Sequence, residues 1–165
     1  MVTIRCTQKL LRRLRSESSP APSTTRLGDW YANLLFARPE QLVLCVSERT
    51  LLPVIVTARD GNRLGERLSQ ALRVILQRLG VRPQLIDAEV TEMECVAFGP
   101  TRNRRLLGTL NDFMYRLPFY LDEHPSLPLE AAALWLAGTP CGAIGYEFPD
   151  RFTRQLFCAA SAPDQ

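Results

Sequence analysis

Residues 101 to 117 read TRNRRLLGTLNDFMYRL, and the polar side chains among them are the ones best suited to chemistry. At 100° per residue, Arg104, Gly108, Asn111 and Tyr115 fall on one narrow helical stripe, with Arg105, Asp112 and Arg116 beside it. Asparagine both donates and accepts, aspartate accepts, the guanidinium donates in a fork, and tyrosine adds a hydroxyl. Such a set can hold a phosphate, a base edge or the backbone of a partner. The structural alternative pairs Asp112 with Arg116 one turn on and bonds Asn111 to a neighbouring loop. Glycine inside a helix costs about 1 kcal/mol relative to alanine. Gly108 in this stripe therefore suggests that a chain segment or a ligand comes close to the backbone.

Two further segments carry candidate groups. Asp29 and Trp30 open an apolar run, where Trp30 is either a stacking platform for a base or a core residue with its indole N–H satisfied. Glu48, Arg49 and Thr50 read most simply as a hairpin turn. His124 is the only histidine and has no evident Ser or Cys nucleophile to activate. The five cysteines, Cys6, Cys45, Cys95, Cys141 and Cys158, contain no Cys-x-x-Cys pair. No zinc site or other metal centre is expected from them, and they read mostly as reduced, buried residues of a cytoplasmic protein. GAIGYE lacks the Gly-Lys-Ser/Thr ending of a phosphate loop, and no Gly-x-Gly-x-x-Gly follows a strand, so no nucleotide cofactor is expected.

The elements that must position these groups follow from periodicity. VTIRC alternates, placing Val2, Ile4 and Cys6 on one side of a short strand, and Thr7 is positioned to cap a helix through QKLLRRL. SESSPAPSTT, about 16–25, reads as a flexible loop. DWYANLLFA, QLVLCVS and LLPVIVTA are strand-like runs with short connections, which favours an antiparallel meander. Leu64, Leu68, Ala71, Leu72, Ile75 and Leu79 form a helical stripe that Gly80 stops, and Pro83 suits the first turn of a second helix. CVAFG returns as a strand. A helix over 104–117 buries Leu106, Leu107, Leu110, Phe113, Met114, Leu117 and Leu121, and Pro118 is expected to end or kink it. LPLEAAALWLAG is a further helix, GAIGYEFPDRFTRQLF a glycine-rich turn leading into another, and about 159–165 a C-terminal tail. The expected architecture is α+β: one domain, with a small antiparallel sheet and helices mainly on one face.

With 165 residues and 46% hydrophobic content, the chain can bury roughly two thirds of the surface its unfolded form exposes. A net charge of +3 is too mild to identify a nucleic-acid binder. Residues 1–38 nonetheless concentrate Arg5, Lys9, Arg12, Arg13, Arg15, Arg26 and Arg38 against only Glu17 and Asp29. Lys9 is the sole lysine, and guanidinium groups are the better bidentate partners for phosphate and carboxylate. No apolar run approaches the roughly 20 residues of a membrane span, and the N-terminus lacks the apolar centre of a signal peptide. A soluble cytoplasmic protein with no membrane partner is expected.

IRCTQKLLRRL, LGDWYANLLFARPEQLVLCVSERTLLPV, RNRRLLGTLNDF and TPCGAIGYEFPDR together resemble an uncharacterised bacterial domain family known only as a domain of unknown function. The resemblance covers nearly the whole chain. It implies that Gly28, Asp29, Trp30, Tyr31, Ala32 and Asn33 form one motif, and Arg104, Gly108, Asn111, Asp112 and Phe113 another. Members often carry asparagine where this chain has Arg102, and serine at Arg105. No activity comes with the resemblance.

The leading expectation is a non-enzymatic binding module for nucleic acid or a protein partner, in a setting such as toxin–antitoxin or phage defence. Its surface would comprise Arg104, Gly108, Asn111, Asp112 and Tyr115, with Asp29 and Trp30 beside them. One alternative is phosphodiester hydrolysis on nucleic acid or nucleotides, with Arg104 clamping phosphate and Asp29 or Asp112 acting as base or metal ligand. It requires these residues to converge in one pocket. A second is a homo-oligomeric structural protein with an apolar patch near Trp135.

Overall fold

The computed structural model describes residues 1–15, 19–37 and 39–159. The expected flexible loop is therefore described only from residue 19 onward, and almost all of the expected C-terminal tail lies outside the described residues. The strands are β1 (Val2–Cys6), β2 (Trp30–Ala37), β3 (Glu40–Ser47), β4 (Pro53–Thr57) and β5 (Val96–Pro100). The helices are α1 (Gln8–Leu14), α2 (Leu64–Arg78), α3 (Pro83–Glu92), α4 (Arg104–Glu123), α5 (Leu129–Ala137) and α6 (Pro149–Ala159). The class is α+β, as the pattern of elements predicts.

The sheet order is β4-β3-β2-β1-β5. β2, β3 and β4 form the antiparallel meander, in register from Trp30↔Ser47 to Ala37↔Glu40 across the first pair. β1 joins in parallel to both β2 and β5, extending the meander into a mixed sheet. Parallel neighbours need long crossovers. The chain supplies them, through α1 and the following loop before β2, and through α2 and α3 before β5.

Helices cover both faces of this sheet rather than mainly one. All five residues of β1 are buried, as are Leu42–Ser47 of β3, so neither face of these strands is left to water. On the face carrying Ile4, Trp30 and Val43, Leu10, Leu14 and Leu64 close around Val43. There α2 packs so tightly that a Cβ at Gly65 would overlap Val96. On the opposite face, α4 packs against β2 and β3, and the backbone of its N-cap, Asn103, hydrogen-bonds Tyr31. α5 packs on the edge strand β4 and against α2. Over β1 this second face is covered by the segment before β2: Thr3 bonds Ser23 Oγ and the Ala21 carbonyl, and Arg5 bonds Asp29, so the two β1 residues that alternation assigns to the outer side are buried.

Two local expectations change. Thr7 precedes α1 but does not cap it with its side chain; its hydroxyl donates to Asn33 Oδ1 (2.7 Å), which also accepts the Leu34 N–H (2.8 Å). Pro118 does not end α4, which runs on to Glu123. Interior proline removes one helical hydrogen bond at a cost of about 3 kcal/mol or more. Packing offsets this: Leu117 is fully buried, Leu121 packs against the core, and Tyr120 stacks on Trp135 with centroids 4.8 Å apart. No helix among the described residues is long and apolar enough to cross a membrane.

Candidate functional site

α4 begins where Asn103 accepts the backbone N–H groups of Arg105 (3.0 Å) and Leu106 (3.4 Å), satisfying two of the donors a helix N-terminus leaves open. Leu106, Leu110, Phe113 and Leu117 are buried, while Leu107, Met114 and Leu121 pack at the margin of the core. The helix is thereby locked in one rotation, which turns Arg104, Arg105, Gly108, Asn111, Asp112, Tyr115 and Phe119 outward, all of them exposed. Tyr115 is 74% and Phe119 59% exposed, and their rings meet edge to face at 5.7 Å.

Arg104, Arg105, Asn111 and Asp112 make no side-chain hydrogen bond or ion pair within the described residues. The pairing of Asp112 with Arg116 is not formed. Arg116 instead donates to Thr139 Oγ1 (3.0 Å) and lies over the Trp135 ring at 5.0 Å. Asp112, Tyr115, Arg116, Thr139 and Cys141 line a shallow depression of about 270 Å³. Burial pushes the Cys141 thiol up to about 11, so it is a protonated core thiol rather than a nucleophile.

Apart from its chain neighbours and its own helix backbone, Gly108 has no described atom within 4 Å of the place a Cβ would occupy. The close approach of another chain segment expected there is absent, so within the free protein the glycine only weakens the helix. Gly108→Ala should stabilise the protein by about 1 kcal/mol, read as a higher urea midpoint with an unchanged slope. If instead a partner's backbone packs on this position, the same variant will bind that partner more weakly despite its greater stability.

A second polar centre lies on the sheet. Gly28 adopts φ +77°, and a Cβ there would stand 2.9 Å from Glu48 Oε2. The turn this permits sends the Asp29 N–H to Glu48 Oε2 (3.2 Å), while the Asp29 carbonyl accepts the Glu48 N–H (2.8 Å). From β1, Arg5 Nε donates to Asp29 Oδ2 (2.8 Å), and Ser23 Oγ donates to Asp29 Oδ1 (2.5 Å). The Arg5 and Asp29 side chains are only 8% and 10% exposed. Arg5 Nη1 is buried with no hydrogen-bond partner. Tyr31, two residues further along, has its phenol pushed above its ordinary value, first by burial and then by the Glu48 charge. Beside this pair a cleft of about 370 Å³ is lined by Arg5, Ser23, Asp29, Glu48, Arg49 and Arg102.

The structure thus separates residues that sequence reasoning grouped. Asp29 lines the sheet-side cleft, Asp112 lines the α4 depression, and Arg104 lines neither. Trp30 is fully buried on the α1 and α2 face, with its Nε1 lacking a partner. It offers no ring to a ligand, because β2 is covered on both sides. Arg5, Glu48, Arg49 and Arg102 line the sheet-side cleft and were not assigned to a site by sequence reasoning. The available signal was Arg5 itself, the one charged residue of its strand. Among the described residues, no three His, Cys, Asp or Glu side chains form a cluster able to hold a metal ion.

The family model described as Domain of unknown function (DUF6933) matches residues 3–152, which takes in both polar centres. No curated protein and no solved structure matches the chain.

Proposed function

Because the chain belongs to the domain family DUF6933, whose description assigns no activity, we propose a function from its own surface: a non-enzymatic binding module that holds a nucleic-acid strand along α4. The observation that carries this reading is the state of the outward stripe. Arg104, Arg105, Asn111 and Asp112 make no side-chain hydrogen bond or ion pair among the described residues, so the described fold does not use them. From Arg104 to Phe119 the stripe runs about 22 Å along the helix axis. Guanidinium groups at the first turn, where the helix dipole also favours anions, suit phosphates. Exposed Tyr115 and Phe119 further along suit stacking of unpaired bases. Basic groups at one end of a face and aromatic groups at the other supply the two kinds of contact that single-stranded nucleic acid uses.

The test is a fluorescence-anisotropy titration with a labelled single-stranded oligonucleotide at several salt concentrations. Arg104→Ala should weaken binding by about 1–3 kcal/mol and reduce the salt slope by about 0.7, the value for one phosphate that is no longer neutralised. Its unfolding free energy should stay within about 0.5 kcal/mol of the wild type, since the side chain is exposed and unpaired. Equal binding by wild type and variant, or no binding at low salt, overturns the reading. Exposed Tyr115, Phe119, Tyr146 and half-exposed Trp135 favour a second reading, a protein partner docked on this end of the helix, since Tyr and Trp dominate such contacts. Native mass spectrometry of gently purified protein separates the two by the mass that travels with the chain.

A further inference from the structure

We propose that the cleft beside β1 is a binding site for a phosphomonoester, with Arg5, Arg49 and Arg102 as its cationic ligands. This proposal does not depend on the role given to α4.

Arg5 is the central group. Its side chain is more than nine-tenths buried and lines the cleft, and its Nη1 has no hydrogen-bond partner. A buried charged donor left unpaired costs free energy comparable to a lost charged hydrogen bond, and native proteins rarely tolerate one without a use. Asp29 does not supply the missing acceptor: its two oxygens take Arg5 Nε and Ser23 Oγ, and Nη1 stays without a partner among the described residues. Gly99 lies close against the guanidinium, where a side chain would not fit without displacement. A Cβ at that position would stand 3.3 Å from Arg5 Nη1 and 3.1 Å from Pro20.

The charge around the cleft favours an anion. Asp29 balances Arg5, so the remaining groups are Glu48 against Arg49 and Arg102. Glu48 accepts the Asp29 N–H. Arg49 gives one N–H to the Arg26 carbonyl and keeps the rest of its fork, and Arg102 makes no side-chain bond among the described residues. The three guanidinium groups come from three separate segments: β1, the turn between β3 and β4, and the connection from β5 to α4. A phosphomonoester offers three terminal oxygens to three such donors. A carboxylate or a phosphodiester offers only two, and so matches one donor fewer.

The test is isothermal titration of the full chain with inorganic phosphate, phenyl phosphate and acetate at matched ionic strength. Both phosphates should bind and acetate should not. Arg102→Ala and Arg49→Ala, at exposed positions, should each weaken phenyl phosphate binding about tenfold, the equivalent of one charged hydrogen bond. Arg5→Lys keeps a cation beside Asp29 but removes Nη1, and should abolish binding. If that variant does not fold, the two exposed arginines still decide the matter. Arg104→Ala should leave phosphate binding unchanged, so a failure here and a failure of the α4 reading remain distinguishable. The proposal is overturned if phosphate gives no heat beyond the acetate control, or if Arg102→Ala and Arg49→Ala bind like wild type. Binding of inorganic phosphate without phenyl phosphate would overturn the ester assignment.

Discussion

Asp29→Ala is expected to destabilise the protein by about 3–5 kcal/mol, the range for removing one partner of a buried ion pair. The cost arises less from the lost attraction than from what is left behind. Arg5 is held in place by a strand paired on both sides, so its guanidinium cannot swing out to water when its acceptor is removed. Nε would then join Nη1 as an unpartnered charged donor, and the Ser23 hydroxyl would lose its acceptor as well. Urea unfolding measures the loss directly. The same reasoning predicts that Arg5→Met combined with Asp29→Leu will lie closer to wild type than Asp29→Ala alone, because no charge remains to be buried. A loss below about 1 kcal/mol in Asp29→Ala would show that the pair is solvated in solution and would remove the basis for a rigid cleft.

Glu89→Ala is expected to cost about 2–6 kcal/mol, since one buried and one part-buried backbone donor lose their acceptor at about 1–3 kcal/mol each. Glu89 lies on α3, is 2% exposed, and takes the N–H groups of Arg26 (2.8 Å) and Leu27 (3.0 Å), one on each carboxylate oxygen. It therefore ties α3 to the segment that immediately precedes Gly28 and Asp29, and its loss should loosen the cleft as well as the fold. Amide exchange of Arg26 and Leu27 would report this locally. Burial raises the Glu89 carboxyl above its ordinary value, outweighing the two backbone bonds that lower it. With the folded pKa above the unfolded one, the contribution of Glu89 to stability is fully present below the ordinary carboxylate value. It declines as pH rises through the raised folded value. Wild type should thus lose stability relative to Glu89→Gln as pH rises from the ordinary carboxylate value through the raised folded one. A gap that widens in favour of wild type over that interval would reverse the assignment.

The α4 stripe was legible because helical periodicity is local. Leu106, Leu110, Phe113 and Leu117 repeat at three and four residues, and that spacing alone settles which residues face outward. The cleft was not legible, because its parts meet only through pairing of distant segments. Arg5, Asp29, Glu48 and Arg102 lie on four separate stretches of chain. Nothing in VTIRC says that its second face will be covered, and on an open face Arg5 would simply be a solvated strand residue. Trp30 shows the converse. The sequence permits an exposed ring at the start of β2, and α1 and α2 remove it from water.

By itself, then, the sequence determined where strands and helices form, the antiparallel meander of β2, β3 and β4, and the outward stripe of α4. Each of these follows from side-chain periodicity and turn residues within a short window. Only the tertiary structure decided that β1 and β5 extend the sheet in parallel, and that helices close both faces. It also decided that the segment before β2 folds over β1 and buries Arg5 against Asp29 with one nitrogen unsatisfied among the described residues. Alternation along a strand distinguishes its two faces, but whether water or a helix meets each one depends on chain segments far away in sequence.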